Sequence, residues 1–266
     1  MKRYIYVIMI LVLVIPGCEL VDLGEFRSDT GYPTRFRKMS SSTLEAEKAS
    51  FLQANPYLWT SINNYGFLGN SGDLSQQQIP PVDNQVSETE ARQAAMNFLA
   101  RNAEYAGVDN IDNIRIESAE PMGGFWDGGA GWHLHTSPQI IDTLVVLNTS
   151  ILINVHSGEV YYSIGNWYPD VYIPGHIIVS RSKAVNNLLG KIVTHYSIAG
   201  QPYHVTITKE PLSQSKVNMV IYPLEVDDTI ELRLVWMINI PGPVYYIIYV
   251  DAITGETIAM SPTIIS

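Results

Sequence analysis

Apolar residues are spaced along this chain in three ways, and each spacing predicts a different element. The first is a block: Ile5 to Ile15 are apolar without interruption and follow Lys2 and Arg3. The run is too short for the ~20 residues that cross a bilayer. With its basic flank it predicts the hydrophobic region of a secretory signal peptide covering residues 1–17. The second spacing is helical. Ser42 to Glu45 reads as a Ser-x-x-Glu capping box, followed by Leu44, Ala49, Phe51 and Leu52 and stopped at Asn55-Pro56. Ser87 with Glu90 forms a second box, ahead of Ala91, Ala94, Ala95, Phe98 and Leu99. A third helix is predicted after Ser180, with Ala184, Val185, Leu188, Leu189, Ile192 and Val193 on its apolar side. The third spacing is strand-like, over Leu152–Val160, Tyr203–Lys209, Lys216–Glu225, Leu232–Ile240 and Tyr245–Asp251, with a short closing strand after the turn.

These elements recur. Val86, Ser87 and Ala91 fall on Val179, Ser180 and Ala184 at an offset of 93 positions, and Gly158-Glu159 falls on Gly255-Glu256 at 97. Lys183 stands where Glu90 would be, so only the first helix has the complete box. Between these regions, residues 19 to 40 are polar and without a sustained period, and Gly69 to Pro81 is rich in Gly, Ser, Gln and Pro. The predicted organisation is therefore a signal peptide (1–17), a tether with a short helix and linker (18–83), a first unit (84–172) and a second unit (173–266). The predicted class is α+β, each unit a helix packed on an antiparallel sheet.

The second unit resembles the PepSY domain. The residues that carry the likeness are the capped helix, the strand Leu234-Val235-Trp236-Met237-Ile238 and the ending Val250-Asp251-Ala252-Ile253-Thr254-Gly255-Glu256. The first unit resembles a degenerate copy, or the related fungalysin/thermolysin propeptide domain. Trp132 takes the place of the strand tryptophan, Ser157-Gly158-Glu159 that of the turn, and Ser137 to Thr149 is an insertion. The resemblance implies two tandem cystatin-like modules of a kind found in propeptides of secreted metallopeptidases, where they assist folding and hold the protease inactive, and alone on bacterial envelope proteins. The chain is expected to depart from those propeptides in having no peptidase domain after Ser266, and residues 1–266 contain no His-Glu-x-x-His zinc motif. A stand-alone, non-catalytic role is the expectation.

Cysteine usage adds a location. Cys18 is the one cysteine in the chain and directly follows Pro16-Gly17 at the end of the apolar block. That arrangement resembles the lipobox of bacterial lipoproteins, with Pro16 as a departure from the usual residue. Lipidation of Cys18 is predicted, because an exported lone thiol has no disulfide partner; the alternative is a plain signal peptide with an incidental thiol. Removal of residues 1–17 takes Lys2 and Arg3 with it, so the net charge moves from −10 to −12. An acidic body of this kind argues against nucleic acid and anionic lipid surfaces as partners, because both would repel it. Membrane attachment is then through the lipid on Cys18, in a bacterial envelope, with the protein facing the periplasm or exterior. Sixteen tyrosines among many Ile, Val and Thr favour a sheet-rich fold.

Residues suited to chemistry are few and scattered. His133 and His135 share a strand face and could offer two imidazoles to a metal, but no third ligand is identifiable. His156, His176, His195 and His204 lack ligand spacing. Gly123 to Gly131 is glycine-rich yet lacks the Lys-Ser/Thr of a phosphate loop. Asp227-Asp228 reads as a turn, and Asp251 with Glu256 flanks the repeated turn, two carboxylates where calcium usually takes 6–8 oxygens. No catalytic residue, cofactor or metal is assigned. Trp132, Trp236, Tyr246 and Phe98 are predicted to pack between helix and sheet. Trp167, Tyr168 and Tyr172 either join the two units or form an exposed patch. The expected function is an envelope-anchored lipoprotein that binds or regulates, including by inhibition, a secreted peptidase or other envelope protein. The alternative is a structural or assembly lipoprotein of an envelope complex with no protease link.

Overall fold

The second capping box forms as a box should. In the computed structural model, which describes residues 31–71, 86–122, 131–196, 202–242 and 245–263, Ser87 Oγ accepts from the Glu90 amide while the Glu90 carboxylate accepts from the Ser87 amide at 2.8 Å. The signal block and Cys18 lie outside the described residues, as do 123–130. Among the described residues no helix is long and apolar enough to cross a membrane.

The chain runs β1 (Thr34–Arg37), α1 (Ser41–Ala54), β2 (Thr60–Ile62), β3 (Leu68–Ser71), α2 (Glu88–Arg101), α3 (Ala103–Ala106), β4 (Ile116–Pro121), β5 (Gly131–Thr136), β6 (Ile140–Ile141), β7 (Leu144–Val145), β8 (Ile151–His156) and β9 (Glu159–Gly165). It continues with α4 (Arg181–Asn186), β10 (Ile192–Tyr196), β11 (Pro202–Thr206), α5 (Lys209–Ser213), β12 (Lys216–Val226), β13 (Thr229–Ile240), β14 (Tyr245–Asp251) and β15 (Thr257–Thr263). Helix and sheet are mixed, as an α+β class requires.

Two antiparallel sheets organise these elements. The four-stranded sheet has the order β4-β5-β8-β9. Its apolar face, with Leu134, Ile153, Val155 and Val160, packs under α2 through Ala91, Ala95, Phe98 and Leu99. In the five-stranded sheet Thr229–Asn239 of β13 pair with β12. Its other side is shared: Thr229–Leu232 pair with β1, and Val235–Ile240 pair with β14, which in turn pairs with β15. The even-numbered residues of β13 face the core, with Ile238 and Ile240 under α4, the β10-β11 hairpin and α5, and Ile230, Leu232 and Leu234 in a further cluster.

Three predictions are corrected. Residues 31–71 are not a polar tether with an isolated helix. Thr34–Arg37 form an edge segment of the five-stranded sheet, while Leu44, Phe51, Leu58, Ile62 and Leu68 are buried in the core of the four-stranded one. The first helix starts earlier than the Ser42–Glu45 box implied: Ser40 is the N-cap and accepts from the Thr43 amide, so no reciprocal glutamate is involved. The helix after Ser180 ends at Asn186 instead of continuing to Val193. Ile192 and Val193 belong to β10, because two β-branched residues after Gly190 favour the extended chain.

The connection between the sheets is dense. Val146, in the 137–149 insertion, bridges in parallel to Ile221 of β12, and the Leu147 amide donates to the Ile221 carbonyl at 2.9 Å. Trp167 is buried with the α2 cluster, whereas Tyr168 is buried beside Phe36 and Phe67 in the cluster that carries Ile221 and Leu234. Gly107, after α3, lets the chain pass: a Cβ there would lie 1.7 Å from the Trp167 carbonyl oxygen.

Candidate functional site

The same small device is built twice. Trp132 on β5 donates its indole N–H to the Val86 carbonyl at 2.9 Å, and Trp236 on β13 donates to the Val179 carbonyl at 2.7 Å. Each valine directly precedes the serine that caps the helix, Ser87 for α2 and Ser180 for α4. Each also sits over a turn glycine, where a Cβ on Gly158 would lie 3.7 Å from Val86 and one on Gly255 3.2 Å from Val179. Both glycines have positive φ, 86° and 79°, which L side chains adopt at a cost. Strand register agrees: Trp132 pairs with Val155 and Trp236 with Val250.

The second copy carries a buried polar network that sequence reasoning missed. Asp251, fully buried, accepts at Oδ1 from the Ile253 and Thr254 amides and at Oδ2 from Arg233 at 3.0 Å. Arg233 also binds Glu231, whose other oxygen accepts from Arg35 of β1 at 2.8 Å. Tyr32 completes the group. Its hydroxyl donates to Asp251 and accepts from the Leu234 amide at 2.9 Å. Leu234 is where the flank of β13 passes from β1 to β14, so the phenol satisfies an amide that neither strand reaches. Burial first, and then the Asp251 charge, push the Tyr32 hydroxyl well above its ordinary range. Burial alone would raise Glu231, but hydrogen bonds and charge from Arg35 and Arg233 outweigh it and hold the carboxyl below the usual value. Every member is engaged by another, an arrangement that ties β1, β13 and the β14-β15 turn together. The clue in sequence was Glu231 and Arg233, two apart on one strand face.

Asp251 thus makes the turn contacts its sequence context suggested, and Glu256 offers its carbonyl to the Asp251 amide. His133 and His135 do share one face of β5. His133 is hydrogen-bonded to Asn154 at 2.7 Å and His135 is exposed. Among the described residues no three His, Cys, Asp or Glu side chains come together as a metal site. His204 bonds Thr194. Asp227 sits in the β12-β13 turn with φ 52°, and Asp228 forms an ion pair with Lys38. Phe98 and Tyr246 are buried, and Trp132 and Trp236 are half-buried. Tyr172, at 37 % exposure, is the outward member of the aromatic connection. A shallow groove of about 730 Å³ runs between α2 and the β8-β9 turn, lined by Glu90, Gln93, Asn97, Arg101 and Glu159.

No family model matches the chain, and no curated protein does. Among solved structures, the Bacillus megaterium YpeB C-terminal domain is similar at 12% identity, over 85% of this chain and 98% of that one. The TM-score is 0.32, too low for a shared fold to be read from it.

Proposed function

We propose that the protein is a non-catalytic lipoprotein of the bacterial envelope, anchored through lipid on Cys18, whose body consists of two tandem PepSY-like modules. The role proposed for it is to bind and regulate a secreted peptidase or another envelope protein. The observation that carries the modular reading is the repeated clasp, in which an indole N–H grips the carbonyl ahead of each capped helix. The module boundaries proposed are 84–172 and 173–266, with Thr34–Arg37 added to the second sheet and Leu44, Phe51, Leu58, Ile62 and Leu68 to the core of the first. The motif in Val250–Glu256 supports the family, and the fully engaged Asp251 network supports a structural role for its carboxylates.

The test is recovery of the lipidated protein from its own membranes after crosslinking, with identification of what accompanies it. A peptidase among the partners, and reduced activity of that peptidase when the pure protein is added, are the expected results. A transport or assembly complex alone would favour the scaffold alternative. Full activity of every secreted metallopeptidase of the same organism in its presence would remove the inhibitory form of the proposal.

A further inference from the structure

Among the described residues, the core clusters of the five-stranded sheet include helix residues on one face only. The helix contacts of β13 are made by its even-numbered side, under α4. The opposite side follows from the register. Asn218, Met237, Tyr249 and Ala259 form one row across β12, β13, β14 and β15, and Val220, Val235 and Asp251 form the next. Tyr222 leans onto Tyr249, with ring centroids 4.4 Å apart, above Val235, which is fully buried although it belongs to neither core cluster of this sheet. Leu224, Met237, Ile247 and Tyr249 remain within reach of solvent. The centre of the face is therefore apolar and phenolic.

Its rim is basic. Arg35, Arg37, Arg233 and Lys216 lie on this side against Glu231 and Asp251, a local surplus of positive charge in a chain whose net charge is −10. Arg35 and Arg233 are engaged by those carboxylates. Arg37 and Lys216, at opposite ends of the face, are both exposed and have no ion pair among the described residues. The described chain also begins here: Gly31 is 13 residues after Cys18, a span of at most ~45 Å when extended, and leads directly into β1 on the same sheet.

We propose that this face lies on an anionic lipid surface, its tyrosines at headgroup level and Arg37 and Lys216 against acidic headgroups. The proposal rests on the reading of Cys18 as lipidated. Tyrosine favours the membrane interface because its ring is apolar and its hydroxyl wet, and basic residues are drawn to acidic lipid within a Debye length. The acidic remainder of the body is repelled by the same lipid; the α4 side also carries exposed Arg181, Lys183 and Lys191, so a label there decides between the two sides. The lipid supplies residence and the face supplies orientation.

The test uses the lipidated protein in vesicles, with Met237→Cys carrying an environment-sensitive fluorophore and Leu189→Cys, on the α4 side and 56 % exposed, as the control. In phosphatidylglycerol vesicles the label at 237 should be shielded from acrylamide and the one at 189 should not. In phosphatidylcholine vesicles neither should be shielded. Arg37→Gln and Lys216→Gln should each lower the shielded fraction about fivefold while the protein still floats with the vesicles. Equal quenching of both labels in phosphatidylglycerol overturns the proposal, as does shielding only in native membranes, which would mean a protein partner. The mass of the mature N-terminal peptide reports the lipid separately. If the lipid is absent the anchor reading fails alone, and the face is judged by the same quenching with phosphatidylglycerol vesicles in excess.

Discussion

Helices α2 and α4 begin in the same way and end differently. Each follows a valine whose carbonyl is held by a tryptophan and a serine that caps the first turn. Helix α2 then runs 14 residues and buries Ala91, Ala95, Phe98 and Leu99. Helix α4 stops after 6 residues, and the apolar cover over β13 and β14 is completed by Leu188, by Val193 of the β10-β11 hairpin, by Ile207 and by Leu212 of α5. The place where the chain steps onto the sheet is thus fixed by directional bonds. The volume above the sheet can be filled by any element of the right size, since burial is non-directional.

The two copies differ most beneath the tryptophan clasp, and that difference offers the largest test. Asp251 stands opposite Val235 where His156 stands opposite Gly131. Asp251→Ala should cost about 3–5 kcal/mol in urea denaturation, because it strips two turn amides of their buried acceptor and leaves Arg233 with Glu231 as its one carboxylate partner. Asp251→Asn, which keeps an oxygen for those amides, should cost less. A loss under about 1 kcal/mol for the alanine variant would mean that the network is solvated.

The tryptophans test the likeness itself. Trp132→Phe and Trp236→Phe each remove one donor from a valine carbonyl, and each should lower stability by about 1–2 kcal/mol. Clearly unequal losses would break the equivalence of the two clasps. A smaller contrast separates the caps. Ser87→Ala should cost about 1 kcal/mol and Ser180→Ala about half that, because only Ser87 also engages a glutamate at the third helical position.

The smallest effect is the dependence on pH that Glu231 contributes in the second copy. The Glu231 carboxyl is held below the range of an unfolded glutamate. Its contribution is therefore complete above about pH 4.3, the unfolded value, and is lost as the pH falls through the lower folded value. Thermal melts of the parent and of Glu231→Gln should converge on acidification below that point.

Local patterns were legible in sequence, and long-range ones were not. Ser87 with Glu90, the strands around Trp236 and the Asp251 turn depend on neighbours within a few positions, and all could be placed. Thr34–Arg37 could not, since four residues of weak alternation become a strand through pairing with Thr229–Leu232 at the far end of the chain. The first helix presented Ser40, Ser41 and Ser42 in a row, and the choice of cap fell to the one held extended, with φ −64° and ψ 149°. The end of α4 was obscured because apolar spacing carries on through Ile192 although the helix does not. The charged network required the β13-β14 register before Arg233 and Asp251 could be seen to meet.

Strand β1 is short, but its position gives it mechanical weight. It lies antiparallel to Thr229–Leu232, joined by four residue pairs, the Arg35–Glu231 bridge and the Tyr32 hydroxyl. A pull on the upstream chain along the strand axis would load these bonds together in shear, not peel them one after another. Tension arriving from the N-terminal side would then be borne by the five-stranded sheet before it reached α1.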